Sequence, residues 1–123
     1  MRAETLFHNA QAHQTAAAGD VVYSEGEPGE FMYGIVSGAV ELRKGTVTVA
    51  RLGPGDVFGQ RSLIDQLPRN LTAVATSDTT LARIDHALFL FLVHETPMFG
   101  VQIMSALASR LRDYDDLIAS SQR

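Results

Sequence analysis

The chain of 123 residues is long enough for one packed core but too short for two, so we expect residues 1–123 to form a single domain. Its formal net charge of −4 argues against non-specific nucleic-acid binding, and the absence of cysteine excludes disulfides and thiolate chemistry. No apolar run could cross a bilayer and residues 1–18 do not resemble a secretory signal, so we expect a cytoplasmic protein with no membrane partner.

The first two thirds of the chain predict a short helix over Arg2–Ala10 and then many short strands. Nine of the ten glycines lie between Gly19 and Gly59, where they separate short runs of β-branched and aromatic residues. The expected strands are Val21–Tyr23, Phe31–Val36, Ala39–Leu42, Thr46–Leu52, Asp56–Phe58, Leu71–Ala75 and Thr79–Ile84. Strands this short and closely spaced predict an antiparallel, jelly-roll-like β-roll over about residues 14–84.

Two turns in this region are clearly marked. Arg43-Lys44-Gly45 ends one strand and lets Thr46 begin its antiparallel partner, which predicts a hairpin. Gly53-Pro54-Gly55-Asp56 predicts a tight loop, because proline fixes φ and the flanking glycines adopt dihedral angles that other residues avoid.

The pattern after Ile84 predicts two C-terminal helices over about residues 85–119. Asp85 is a suitable N-cap for a short apolar helix through Ala87 to Val93, although periodicity alone leaves a strand possible there. Thr96-Pro97 is a stronger start signal for the second, longer helix, since it combines a capping hydroxyl with proline at the first helical position.

The longer helix carries apolar residues at spacings of three and four, called the apolar stripe below: Met104, Leu107, Leu111, Tyr114 and Ile118. Such a stripe packs either on the sheet or against a second copy of the chain. Sheet packing is favoured, and both arrangements can coexist along one helix. The stripe therefore also suggests a homodimer formed through this helix.

The segment from Phe58 to Val74 is the most informative part of the sequence. Gly59 opens a short turn, and Arg69 follows a proline at its end. Backbone N–H groups at a helix start can bind an anion, and an arginine fork can bind a phosphate with two hydrogen bonds. This segment predicts a pocket for one small phosphorylated ligand rather than a catalytic centre.

The order of these features resembles the cyclic-nucleotide-binding domain family, which includes sensor domains of catabolite-activator-type transcription factors and of cyclic-nucleotide-dependent kinases. The resemblance extends from about Gly19 to Tyr114. It is carried by Gly19-Asp20 with Tyr23, Glu25 and Gly26; by Tyr33, Ile35, Gly38 and Val40; by the run Leu52 to Gly59; and by the pair Pro68-Arg69. We call Gly59 to Asn70 the cassette.

The resemblance implies a non-catalytic sensor that binds a cyclic nucleotide, cyclic AMP somewhat favoured over cyclic GMP, with no cofactor and no metal. It also implies that movement of the C-terminal helices relays binding to an effector domain or protein. The expected ligand-binding residues are Gly59, Gln60, Arg61, Ser62, Arg69, Asn70, Leu71 and Tyr114.

Within the cassette, Arg69 would pair with the two exocyclic phosphate oxygens, and its alternative role is a surface ion pair with Asp65 or Asp78. A short helix beginning at Ser62 to Ile64 would direct N–H groups at the same oxygens. Gly59 would let the backbone approach the ribose. The purine would be covered by the last helix through Arg110, Leu111 and Tyr114, unless Leu111 and Tyr114 only pack as members of the stripe.

Three cassette residues depart from the family pattern. Gln60 stands where the family usually has a glutamate that accepts a hydrogen bond from the ribose 2′-hydroxyl, and a neutral acceptor is weaker by about 1 kcal/mol. Arg61 adds positive charge near the pocket mouth or points to solvent. Asn70 replaces the small or hydroxyl residue common after the arginine. These changes predict a weakened or altered site.

The sequence leaves three functions to consider besides that of a cyclic-nucleotide sensor. A metal enzyme on a jelly roll needs converging histidines, whereas those of this chain lie outside or at the borders of the strand region: His8, His13, His86 and His94. DNA binding by this piece is opposed by an acidic cluster in the last helix: Asp113, Asp115 and Asp116. The third alternative is a degenerate domain that has lost its ligand and serves dimerisation or docking.

Overall fold

The computed structural model describes residues 12–121, apart from the side chains of residues 110, 113–118, 120 and 121. Its strands form two antiparallel four-stranded sheets. The first has, in spatial order, β1 (His13–Ala16), β8 (Thr79–Ile84), β3 (Met32–Ser37) and β6 (Val57–Phe58). The second has β2 (Val21–Tyr23), β7 (Thr72–Ala75), β4 (Val40–Lys44) and β5 (Val47–Leu52). The predicted β-roll is confirmed, whereas the expected helix over Arg2–Ala10 lies outside the described residues.

Strand β1 was not predicted from the sequence. Its residues are mostly polar and only Ala16 is buried, so the sequence carries no alternation of apolar and polar residues. The strand is defined instead by its pairing with β8, in a register from His13 opposite Ala82 to Ala16 opposite Thr79. A polar edge strand of this kind is recognisable only from its partner.

The two predicted turns both form. Strands β4 and β5 make a hairpin in which Lys44 pairs with Val47, and Gly45 has the positive φ of 59° that a tight hairpin turn requires. In the second turn the Asp56 carboxylate accepts a hydrogen bond from Gly53 N at 2.9 Å. This turn positions β6, which leads directly into the cassette.

Three helices complete the described structure: α1 (Gln60–Asp65), α2 (His86–Glu95) and α3 (Pro97–Ser121). Helix α1 begins two residues earlier than expected. Asp85 caps α2 as predicted, because its Oδ1 accepts a hydrogen bond from Leu88 N at 2.8 Å. At the next junction the Thr96 carbonyl accepts a hydrogen bond from Phe99 N, which starts α3 at the predicted proline.

The core consists of two clusters. The first lies between the sheets and is built around Tyr23, Tyr33 and Phe58. The second joins the first sheet to the helices and comprises Met32, Val57, Leu63, Ala82, Ile84, Phe99 and Ile103. Because Leu63 belongs to α1 while Phe99 and Ile103 belong to α3, the cassette helix and the long helix share one core.

The expectation that the apolar stripe packs on the sheet is wrong for its described members. Met104 and Leu111 are 63% and 64% exposed, and Leu107 is also exposed. Phe99 and Ile103 make the sheet contact instead, each only 3% exposed. Phe99 and Ile103 are therefore the buried positions at the start of the helix and Met104 is exposed, a division that spacing alone does not decide.

In the described part of the chain no single helix is both long and apolar enough to span a membrane. Residues His86–Glu95 and Pro97–Ser109 meet the length and composition criterion only when taken together across a bend of 117°.

Candidate functional site

A cleft of about 220 Å³ opens between the cassette and α3. It is lined by seven of the eight predicted ligand-binding residues: Gly59, Gln60, Arg61, Ser62, Arg69, Asn70 and Leu71. The eighth, Tyr114, lies in α3, but its side chain is outside the described residues, as is that of Arg110. Five lining residues were not in that prediction: Tyr23, Leu42, Phe58, Leu107 and Leu111.

Arg69 is the central cation of the cleft and is only 6% exposed. Its guanidinium donates from Nη1 to the Gly59 carbonyl at 2.9 Å and from Nη2 to the Phe31 carbonyl at 2.6 Å. The guanidinium carbon also lies 4.1 Å from the centre of the Tyr23 ring. These contacts fix a planar group whose geometry suits a phosphate, and they replace the surface ion pair with Asp65 or Asp78 that was the alternative.

The charge of Arg69 has no carboxylate to balance it among the residues that the structure describes. Both of its hydrogen-bond partners are neutral carbonyls, and its Nε is buried with no hydrogen-bond partner within that part of the chain. A buried cation with an unsatisfied donor is costly, and an anion that accepts from it relieves the cost. The electrostatics of the cleft therefore favour an anionic ligand.

Gly59 has two reasons to be glycine. Its φ of 79° lies in the left-handed region that other residues rarely adopt, and this turn starts α1. A Cβ at this position would also lie 2.8 Å from Arg69 Nη1. We expected the ribose to approach the backbone at Gly59, but in this structure the Arg69 guanidinium occupies that space.

The loop between β2 and β3 holds Arg69 from the other side, which the sequence analysis did not anticipate. Gly26 N donates to the Arg69 carbonyl and Arg69 N donates to the Glu27 carbonyl, both at 2.8 Å. Gly29 lies so close that a Cβ on it would be 2.7 Å from the Arg69 guanidinium carbon. The turn-rich run Glu25 to Gly29 was the available signal, but its contact with residue 69 depends on the fold.

Three aromatic rings form the wall behind the arginine. Tyr33 and Phe58 stack with centroids 5.2 Å apart, and Tyr23 lies 6.2 Å from Tyr33. Burial raises the pKa of the Tyr23 hydroxyl well above its usual value, and Arg69 opposes this only in part. Burial likewise raises the pKa of Tyr33. Both hydroxyls therefore stay neutral at physiological pH and leave the charge of Arg69 uncompensated.

The first three residues of α1 alternate between buried and exposed positions. Gln60 and Ser62 are each 3% exposed, whereas Arg61 between them is exposed. The polar groups of Gln60 and Ser62 can therefore contact a ligand inside the cleft, and Arg61 lies at its mouth. Leu107 and Leu111 of α3 line the opposite side with an apolar surface suited to a base.

The rim of the cleft is tied to the β4–β5 hairpin. Lys44 Nζ lies 3.2 Å from Glu25 Oε2 and 3.3 Å from the Asn70 carbonyl, and Gly45 N donates to Glu25 Oε1 at 2.8 Å. The hydrogen bond from Gly45, followed by that from Lys44, lowers the pKa of the Glu25 carboxyl. We call this arrangement of Glu25, Lys44, Gly45 and Asn70 the rim clasp.

Histidine and acidic side chains are the candidate metal ligands of this chain. In residues 12–121, where side chains are described, no group of three or more such residues is arranged to hold a metal ion. His13, His86 and His94 are exposed, and His8 lies outside the described residues. The polar chemistry of the site is therefore that of arginine, amide, hydroxyl and backbone groups.

Comparison with known proteins agrees with this geometry. The family model for the cyclic nucleotide-binding domain matches residues 13–96. A cyclic AMP receptor protein from Thermus thermophilus is 30% identical, with coverage of 94% of this chain and 61% of the relative. The crystal structure of the Thermus thermophilus catabolite activator protein superposes with a TM-score of 0.77 at 30% identity, covering 95% of this chain and 59% of that one.

A further solved chain comes from a cyclic-GMP-dependent signalling pathway that regulates bacterial phytopathogenesis. It has a TM-score of 0.67 and 30% identity, with coverage of 98% of this chain and 95% of that one. The chain thus spans about three fifths of the Thermus relative but nearly all of this one. From the family match across both sheets and the cassette, the chain belongs to the cyclic nucleotide-binding domain family.

Proposed function

We propose that this domain is a non-catalytic sensor that binds a cyclic nucleotide with its phosphate on Arg69. The observation that carries the proposal is the buried guanidinium, which lines the cleft with a charge that no described carboxylate balances. Arginine has five N–H donors, and two hydrogen bonds to carbonyls leave donors for a phosphate. A cyclic phosphate carries one negative charge and so neutralises this cation.

Cyclic AMP is the favoured ligand, and the support for it is indirect. The Thermus relative is named as a cyclic AMP receptor, whereas the pathway of the further solved chain depends on cyclic GMP, both at 30% identity. The described wall facing the cassette is apolar at Leu107 and Leu111, which accepts either purine. Titration with cyclic AMP and with cyclic GMP therefore measures which base is preferred.

The relay would run from the cassette to the C-terminal helices. Leu63 of α1 packs with Phe99 and Ile103 of α3 in one buried cluster, against which Leu88 and Leu92 of α2 also pack. A shift of α1 toward the phosphate would change this packing. The other apolar residues of this part of the cassette, Ile64 and Leu67, are 44% and 45% exposed. Leu63 is thus the proposed link.

The exposed stripe on α3 supports a homodimer. Met104 and Leu111 are 63% and 64% exposed and lie at helical spacing with Leu107, as an interface between two such helices requires, although Leu107 and Leu111 also line the cleft. We propose that this face pairs with a second copy, and that an effector domain or protein reads the helix position. The assignments of residues 1–123 to one domain and of a cytoplasmic location stay predictions.

The sensor and the degenerate-domain alternative differ in ligand binding. Titration calorimetry with cyclic AMP and cyclic GMP should give saturable heat for the wild type, and Arg69→Ala should abolish it. Arg69→Lys keeps the charge but loses the planar fork, so it should bind at least about tenfold more weakly than wild type. Gln60→Ala should have little effect. Silence of the wild type at millimolar ligand would establish the degenerate domain.

Because Arg69 is also packed in the core, each variant needs a melting curve. Arg51→Ala is the matched control, since the Arg51 side chain is 79% exposed and the residue lies on β5 outside the cleft. It removes the same charge from the chain and should leave both folding and ligand binding unchanged.

A further inference from the structure

The charge of the cleft exceeds what one cyclic mononucleotide can balance. Among the described lining residues there are two arginines, Arg61 and Arg69, and no aspartate or glutamate. A cyclic mononucleotide carries a single negative charge, which Arg69 alone neutralises. This inference depends on the proposed function, since it concerns what else the same ligand carries.

Arg61 is placed where a second anion could reach it. It lies at the mouth, exposed, between the buried neighbours Gln60 and Ser62. Within the described chain it takes part in none of the four ion pairs found, although Arg43, Lys44 and Arg51 all pair with glutamates. The other cation at the rim, Lys44, is thereby neutralised by Glu25. Arg61 therefore forms no ion pair with a described residue, and the nearest acid along its own helix is Asp65, one turn further on.

Gln60 also supports a second phosphate at the mouth of the cleft. It is 3% exposed and lines the cleft, so its amide is part of the binding surface. An amide donates as well as accepts hydrogen bonds, whereas a carboxylate only accepts and repels a phosphate nearby. A neutral residue next to Arg61 therefore leaves the mouth attractive to a second phosphate.

The size of the cleft places that second phosphate outside it. A volume of about 220 Å³ is smaller than the about 300–1,000 Å³ of cavities that enclose drug-sized ligands, so it has room for one nucleotide unit at most. Any further phosphate must lie at the mouth, beside Arg61.

We propose that the cleft binds a nucleotide with two phosphate charges, the first on Arg69 inside and the second on Arg61 at the mouth. The source that keeps the cyclic nucleotide of the proposed function is a cyclic dinucleotide, which carries one negative charge on each of its two phosphodiesters. A nucleoside 3′,5′-bisphosphate, with two open phosphates, is the non-cyclic source that the test distinguishes from it. Arg61 is then a specificity-determining residue that separates either ligand from a cyclic mononucleotide.

The test compares three probes that share the adenine base: cyclic AMP, cyclic di-AMP and adenosine 3′,5′-bisphosphate. A matched guanine series covers the other base. Wild type should bind one of the two-phosphate probes about tenfold more tightly than the mononucleotide at low salt. Because Arg61 is exposed, this preference should shrink as salt is raised. The source is the cyclic dinucleotide or the bisphosphate according to which binds more tightly.

The variants separate this inference from the proposed function. Arg61→Ala should remove the preference, so that neither two-phosphate probe binds more tightly than cyclic AMP does. Arg61→Lys should keep part of the preference, and the charge control Arg51→Ala should keep all of it. Gln60→Glu should weaken binding of the two-phosphate probe more than binding of cyclic AMP.

A preference that survives Arg61→Ala overturns the inference. So does a wild type that binds cyclic AMP as tightly as both two-phosphate probes; in that case the proposed function stands provided that Arg69→Ala abolishes the binding. Absence of binding to every probe would overturn both.

Discussion

The guanidinium of Arg69 is held by main-chain carbonyls rather than by an acidic side chain. Carbonyls satisfy individual N–H groups and orient the plane, but they leave the positive charge in place. A carboxylate partner would have competed with the phosphate for the same donors. The site is therefore prepared for an anion by geometry and by an uncancelled charge, and stacking on Tyr23 fixes the orientation at little electrostatic cost.

Gly29 offers a direct test of this arrangement. Replacing it with alanine would put a Cβ too close to the Ser62 Cβ and 2.7 Å from the Arg69 guanidinium carbon, so we expect a loss of about 1–3 kcal/mol in unfolding free energy, as for overpacked cores. The displaced arginine should also bind cyclic nucleotide more weakly. Urea denaturation and calorimetry measure the two effects.

The matched control is Gly53→Ala, since a Cβ on Gly53 would meet nothing within 4 Å. It should change neither quantity by much. If Gly29→Ala were as stable and as tight-binding as Gly53→Ala, the described packing of Arg69 against the β2–β3 loop would be wrong.

At the scale of elements, the rim clasp connects the β4–β5 hairpin to the end of the cassette. Its hydrogen bonds depress the pKa of Glu25 below the ordinary value of 4.5, so the ionised carboxylate stabilises the folded state. This contribution is fully present above the unfolded pKa and is lost as the pH falls through the lower, folded pKa.

We therefore expect Glu25→Gln to lower the melting temperature at pH 7 and to have a smaller effect as the pH falls below about 4.5. Thermal unfolding followed by circular dichroism between these pH values measures it. Glu30→Gln, at an exposed position outside the rim clasp, removes the same charge and is the control. A difference from wild type that is constant with pH would contradict the role of the ionised carboxylate.

The proposed relay makes Leu63 the link between the cassette and the C-terminal helices. Leu63→Ala should lose about 2–5 kcal/mol of stability, because the side chain is 4% exposed and its removal leaves a cavity. It should weaken the ligand-induced change in hydrogen exchange along α2 and α3 more than it weakens ligand affinity. Ile64→Ala, at a position 44% exposed, is the control and should preserve both. Equal losses of affinity and of helix response would count against the relay.

For the molecule as a whole, the proposed homodimer places Met104 of the stripe in the interface between copies. Met104 is 63% exposed and lies outside the residues that line the cleft, so a charge there tests association without touching the ligand site. We expect Met104→Glu to raise the dimer dissociation constant at least about tenfold in sedimentation equilibrium, since a charge would be buried between the helices. Leu67→Glu, at an exposed position of the cassette loop, should not. A wild type that is monomeric at millimolar concentration would exclude the homodimer.

The sequence by itself determined the β-roll and the position of the cassette, because both depend on local features. Glycines between β-branched runs mark the ends of strands, and Asp85 and Pro97 mark helix starts through interactions within a few residues. The run from Gly59 to Arg69 is likewise contiguous in the chain, so its residues could be identified before the fold was known.

Only the tertiary structure decided which groups meet across the chain. Strand β1 exists through its pairing with β8, and Arg69 is oriented by Phe31, a residue 38 positions away. Met104 is exposed while Phe99 and Ile103 occupy the place against the sheet. In each case residues that are distant in sequence compete for the same position. The outcome therefore cannot be predicted from the periodicity of a single segment.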